Sequence, residues 1–352
     1  MIVVFHCYMT VTTTRNSFFP VLEAGIDFAQ LPKGPTKLIL LVVGYFGPIG
    51  NLIFIICAAW FLYDSNIVRV DKMIMLALSA LLISILNLVV ICFLFPNVTF
   101  SAKYIHDSFF PIFYTHNWFI TCYLMLYSIH GALNRIIRSW SRKTHLLVAG
   151  CMFFMYSIVT LYARPNHYFS SNFIVSVMLY VLTTYIKTYM NNSYNGKHLI
   201  LAGLIGLVWL VISKQIGFPA SIRDQGLLLW AENSNPFLIL LVAGIIILAA
   251  RRCYHNDFVN DFSAVSLELY LIHENLTFRS VVRPIIWNDL SDKIGGLLLT
   301  RFILFSTVIL AYGLGASVIF STLVKPHIRL LAKWLAQKLI VGWEMMTNKL
   351  LI

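Results

Sequence analysis

The chain has 352 residues, of which 59% are hydrophobic and 11% charged, with a formal net charge of +12. A soluble domain carries about a quarter charged residues, so this composition excludes an ordinary globular fold and reads as an all-α, polytopic membrane bundle. The positive charge does not point to nucleic acid. Basic residues are spread through short loops between apolar runs, as the positive-inside rule distributes them, and no nucleic-acid motif is present.

A bilayer crossing takes about 20 mainly apolar residues. Such runs fall at 38–62, 73–96, 117–134, 145–163, 172–190, 198–214, 234–250, 261–278 and 296–323, with a partial run at 1–13. The expected fold is therefore about ten transmembrane helices, the first truncated, over residues 1–324. The remainder, 325–352, contains HIRLLAKWLAQKLIVGWEMM, in which Arg329, Lys333 and Trp334 stand among leucines. It is predicted to be a C-terminal amphipathic helix along the cytoplasmic membrane surface.

At the start, MIVVFHCYMT places His6 inside an apolar run. An ionisable side chain in hydrocarbon costs about 2.5 kcal/mol or more unless it meets a partner or a wet cavity, which makes His6 a candidate functional residue. No small-residue cleavage site follows, so a secretory signal peptide is not expected. After the next span, the loop AWFLYDSNIVRVDKM carries Arg69 and Lys72. Three residues apart at a membrane edge, they read either as a phosphate-holding pair or as an ordinary positive flank.

In 117–134, the side chains of His116, Tyr123, Tyr127, His130 and Asn134 fall on one helix face. That stripe is either interhelical hydrogen bonding or the lining of a polar cavity. The RIIRSWSRK segment that follows marks an inner loop. Both termini are then cytoplasmic, while Arg279, Arg283 and Lys293 fall in outer loops. In 261–278, Ser266, Tyr270, His273 and Thr277 share a face, and Glu268 and Glu274 add two carboxylates, with Glu274 beside His273. Two acids and a histidine in one span are expensive enough to point to function.

Six cysteines, Cys7, Cys57, Cys92, Cys122, Cys151 and Cys253, sit mostly in apolar runs without metal-ligand spacing. They read as small buried hydrophobes, and no metal site is expected. Walker A, G-x-G-x-x-G, H-E-x-x-H and G-x-S-x-G signatures are absent, which removes ATP-driven pumping, zinc proteolysis and the common serine hydrolase arrangement.

Four segments, in order, resemble the membrane-bound acyltransferase family 3, which includes O-acetyltransferases of bacterial surface polysaccharides. IVVFHCYM resembles its first helix. GNLIFIICAAWFLYDS resembles its second, with Ala58, Ala59 and Trp60 where many members read S-G-Y. NWFITCYLMLYSIHGALN resembles its W-F-x-x-x-Y-x-x-x-Y pattern, and SLELYLIHENL its late Y-L-I-H helix. The resemblance implies transfer of an acyl group, usually acetyl, from acyl-CoA to a hydroxyl of a surface or exported glycan or its lipid-linked precursor. Acetyl-CoA is a substrate here, and no bound cofactor is expected. His6 falls on the family's first-helix histidine, implied to act as the base or acyl-handling group. Arg69 and Lys72 fall on its R-x-x-R pair, implied to contact the donor's phosphates. Asn117, Trp118, Tyr123, Tyr127, His130, Tyr270, His273 and Glu274 are the candidates for the acceptor cavity.

The implied partners are membrane lipid, acyl-CoA and a glycan, and the implied location is the cytoplasmic membrane. The family also implies an arginine about eleven residues before His6. That position lies upstream of Met1, so the chain is expected to begin part-way along its first helix. Two other readings stand beside this one. A transporter or flippase for a polysaccharide precursor would share the spans and stripes, although no internal repeat is visible. A non-catalytic relative would account for the absent arginine and the Ala58-Ala59 replacement.

Overall fold

The computed structural model describes residues 1–12, 31, 34–44, 46–113, 117–159, 172–190, 195–216, 233–252, 255–294 and 297–350. Among them every regular element is helical: α1 (Ile2–Thr12), α2 (Pro35–Gly44), α3 (Phe46–Leu62), α4 (Val70–Leu94), α5 (Ala102–Phe109), α6 (Trp118–Ser139), α7 (Arg142–Phe153), α8 (Asn172–Tyr185), α9 (Gly196–Ile216), α10 (Pro236–Ala250), α11 (Asp257–Ala264), α12 (Ser266–His273), α13 (Arg283–Ile294), α14 (Leu298–Ile319) and α15 (Lys325–Leu350). Among the described residues, four stretches are long and apolar enough to cross a membrane: Pro35–Leu62, Val70–Leu94, Asn172–Met190 and Leu298–Gly342. Ile2–Thr12, Gly196–Leu210 and Pro236–Ala250 are apolar but shorter. Several starts are set by capping side chains. Ser101, Ser141 and Asn256 accept the backbone N–H of Tyr104, Thr144 and Val259, and Asn235, followed by Pro236, accepts those of Phe237 and Leu238.

The chain forms two compact units. The first comprises residues 1–5, 38–68 and 122–255. Its closest pairing is α9 with α10, where glycines let two backbones meet. A Cβ at Gly203 would lie 2.7 Å from the Phe237 carbonyl, and one at Gly244 would lie 2.6 Å from that of Gly196. Elsewhere in this unit, Ala59, Leu126, Ile137, Ala149, Tyr180 and Val181, from α3, α6, α7 and α8, form a buried apolar cluster.

The second unit comprises 6–37, 69–121 and 256–352. Here α12 packs on α14 at Gly313, where a Cβ would come within 2.6 Å of the Leu269 side chain. The buried carboxylate of Glu268, on α12, pairs with Lys325 Nζ at 2.5 Å, at the start of α15. Phe278 stacks on Tyr312 with centroids 5.1 Å apart, and Tyr104 on α5 reaches Ser280 at 3.0 Å.

Two expected elements take a different form. The span at 261–278 is broken: α12 begins only after Val265 and stops at His273, because Glu274 leaves helical geometry and Asn275 turns its side-chain oxygen to the Thr277 N–H. A wider π turn, Phe278–Val282, then leads into α13. The second difference is at the C-terminus. The segment after 325 runs on from α14 without interruption through another π turn, Phe320–Val324. At 1.5 Å per residue, the 45 residues of Leu298–Gly342 reach about 68 Å, twice a hydrocarbon core. The apolar stripe of α15, with Ile328, Ala332 and Ala336 buried, packs against α4.

Candidate active site

His6 sits one turn into α1 and is the first residue of the second unit, with its side chain 14% exposed. Its Nδ1 lies 2.9 Å from His273 Nε2 and 2.9 Å from Glu274 Oε2. The tautomers follow from the partners. His273 Nδ1 is 2.5 Å from the Leu269 carbonyl, which can only accept, so that nitrogen carries a hydrogen. In the neutral His273 ring Nε2 is then an acceptor. His6 Nδ1 faces two acceptors and must itself be the donor, which makes Nε2 the basic nitrogen of a neutral His6 ring.

Glu274 is buried and carries two guanidiniums. Arg279 Nη1 donates to Oε1 at 3.0 Å, and Arg283 Nη2 lies 3.3 Å from Oε2. Arg283 is itself 1% exposed, and its Nη1 donates to the His6 backbone carbonyl at 2.9 Å. One arginine therefore ties the backbone of α1 to the carboxylate that orients the His6 ring. Burying this set is tolerable because every charge has an opposite one in contact. Ring packing closes another side: Tyr270 lies 6.2 Å from His6, Phe119 lies 5.4 Å from Tyr270, and Trp118 lies edge-on to Phe119 at 5.8 Å.

The nitrogens of His6 and His273 and a carboxylate oxygen of Glu274 lie within 4.8 Å of one another, close enough in principle for a metal ion. The charges argue against one. Arg279 and Arg283 already outweigh the single carboxylate, so a divalent cation would add charge beside two fixed cations.

The residues singled out by sequence separate into three groups. His6, Tyr270, His273 and Glu274 come together, with Trp118 linked to them through Phe119. Asn117 is buried beside that helix start, and its Oδ1 has no hydrogen-bond partner among the described residues. Tyr123, Tyr127 and His130 form a row of tilted rings in the first unit, at 6.0 and 5.1 Å between successive centroids, while His116 lies outside the described residues. Asn134, at the end of that stripe, is committed to structure. Its Nδ2 donates to the carbonyls of Leu62 and Ser65 at 3.0 and 2.8 Å, and its Oδ1 accepts from Tyr180 at 2.7 Å. Arg69 and Lys72 form the third group. The guanidinium of Arg69 grips Asp71 at 2.9 Å on an exposed edge, and Lys72 is exposed beside it.

Sequence reading missed Arg279 and Arg283, which it placed in an outer loop; Arg283 is instead buried at the site. Nine residues after Glu274, Arg283 would lie half a turn out of phase on an unbroken α-helix. The break at Glu274 and the π turn at Phe278–Val282 reset that phase. The only available signal was chemical: a carboxylate in an apolar segment demands a nearby cation.

Comparison of the chain with protein-family models, with curated proteins and with solved structures gives no match.

Proposed function

We propose that the chain is an integral-membrane O-acyltransferase. It would move an acyl group, most simply acetyl, from acyl-CoA to a hydroxyl of an exported or surface glycan or its lipid-linked precursor. In this reading about ten spans cross the cytoplasmic membrane, with both termini inside. The apolar surface supports it: Val89, Phe93 and Leu94 at the end of α4 are 59%, 84% and 61% exposed, a contiguous patch suited to lipid.

The observation that carries the chemistry is the His6–Glu274 contact. A carboxylate fixed on Nδ1–H orients the imidazole and supports the positive charge it gains when Nε2 accepts a proton. The step balances without any resident cofactor. The acceptor's O–H gives its proton to His6 Nε2 while its oxygen forms a bond to the thioester carbonyl carbon. The C–S bond then breaks, and the thiolate takes the proton back as free CoA. Arg69 and Lys72 are the proposed contacts of the donor's phosphates, in which case Asp71 must yield Arg69 to them.

The experiment uses membranes containing the full chain, [¹⁴C]acetyl-CoA and a glycan acceptor. Wild type is expected to yield labelled glycan. His6→Ala, inserted to the same level, is expected to fall by at least about 1,000-fold, the loss of a general base together with its positioning. Labelling by His6→Ala at the wild-type rate would remove His6 from the mechanism. Acceptor movement across the membrane without any dependence on acetyl-CoA would favour a transporter instead.

A further inference from the structure

We propose that Arg283 is a catalytic residue, whose Nε–H receives the carbonyl oxygen of the donor thioester as that oxygen becomes an oxyanion. The inference rests on the acyl-transfer reading above. It starts from one unspent donor in a closely bonded cluster. Arg283 is 1% exposed, two of its terminal nitrogens hold the His6 carbonyl and Glu274, and yet its buried Nε–H has no hydrogen-bond partner among the described residues. Buried guanidinium N–H groups are rarely left without an acceptor in a finished structure. Pinning Glu274 and α1 uses only the two terminal nitrogens, so the Nε–H is left over from that role.

The position suits the chemistry. The same guanidinium touches the backbone of His6 and the carboxylate that grips the His6 ring, so its remaining donor belongs to the same cluster as the base. A donor fixed before substrate arrives, and held away from water, is the arrangement that favours charge developing on a carbonyl oxygen. In the step, acceptor oxygen adds to the thioester carbon, the carbonyl π electrons move to oxygen, and Arg283 Nε–H donates to that oxygen without giving up its proton. Collapse re-forms the C=O bond and expels the CoA thiolate, which is protonated by His6.

The test compares wild type with Arg283→Lys, which keeps the charge beside Glu274 and removes the guanidinium donor. Both are assayed as full chains in membranes. The expected result is a 100- to 1,000-fold fall in kcat, with KM for acetyl-CoA within about threefold of wild type. Partial recovery is expected when guanidinium is added to Arg283→Ala. A kcat for Arg283→Lys within threefold of wild type would overturn the proposal while leaving the acyltransferase reading intact. No acetyl transfer by wild type would overturn both. A second measurement needs no variant. Wild type should bind a CoA analogue bearing an anionic phosphonate at the acyl position at least tenfold more tightly than S-ethyl-CoA, which has no carbonyl; equal affinities would overturn the proposal even if the variants fail to insert.

Discussion

Two regions bury polar side chains on apolar helices, and they differ in how completely those groups are used. In the first unit, the end of α6 is saturated. Asn134 spends its amide on the carbonyls of the loop after α3 and its oxygen on Tyr180, Arg138 adds a bond to the Tyr63 carbonyl, and Gly131 lets Asn66 approach so closely that a Cβ would sit 2.6 Å from its oxygen. Lys187 reinforces the same loop through Asp64 at 2.6 Å. Such a network holds a helix end in place and leaves little chemistry over. In the second unit, His6, Glu274 and Arg283 are joined just as closely, but the buried Nε–H of Arg283 keeps an unspent donor among the described residues. Polar groups inside apolar segments are thus one signal with two meanings, and the Asn134 end of α6 shows the structural one.

Glu274 offers the sharpest way to break this contrast. Glu274→Gln preserves shape but removes the charge that orients and supports His6, and it leaves Arg279 and Arg283 beside a neutral amide. Acetyl transfer should fall about 100- to 1,000-fold with the protein still inserted. A loss below threefold would mean that His6 works without its carboxylate, and the second unit would then resemble the first.

Asn134 tests the other side. Asn134→Leu deletes the donor to the Leu62 and Ser65 carbonyls and leaves the Tyr180 hydroxyl without its acceptor, so a loss of about 3 kcal/mol is expected. The readout is the thermal midpoint in detergent, with transfer per folded molecule within about threefold of wild type. A large loss of specific activity at unchanged midpoint would make the stripe part of the chemistry after all.

How much of this was legible depends on whether local periodicity survives. His6, His273 and Glu274 stood out because ionisable groups in apolar runs are costly, a rule that needs no knowledge of geometry. Arg283 was hidden because its relation to Glu274 exists only after a helix break and a π turn, neither of which a 3.6-residue period anticipates. The Arg69–Asp71 pair was missed for a related reason. Residues two apart do not meet within a helix, but Arg69 stands just before α4 in extended geometry, with φ −90° and ψ 98°, and that lets its side chain reach forward to Asp71. The positions of the helices were largely readable, although among the described residues only four stretches are long and apolar enough to cross a membrane, against about ten expected. The joining of α14 to α15 was not, since the polar face of α15 suggests a membrane surface and says nothing of the α4 partner that covers Ile328, Ala332 and Ala336.

The smallest expected effect refines the contrast from outside the site. Tyr104 on α5 is 1% exposed, and its hydroxyl meets Ser280, which lies in the π turn between Glu274 and Arg283. Burial pushes its phenol up to about 12, with the Ser280 contact offsetting part of that shift. Because the folded value is above the ordinary value of about 10, the folded chain holds this proton more tightly than the unfolded one. The resulting stability is complete below about pH 10 and is lost as pH rises towards 12. Tyr104→Phe should cost about 0.5–1.5 kcal/mol near neutrality through the lost hydrogen bond, and should flatten the fall in thermal midpoint between pH 10 and 12. Acetyl transfer at neutral pH should stay within twofold of wild type, because the phenol supports the turn without touching His6. A variant that keeps the full alkaline fall would place that titration elsewhere. One that loses transfer at unchanged midpoint would extend the active cluster from Arg283 back through the turn to α5.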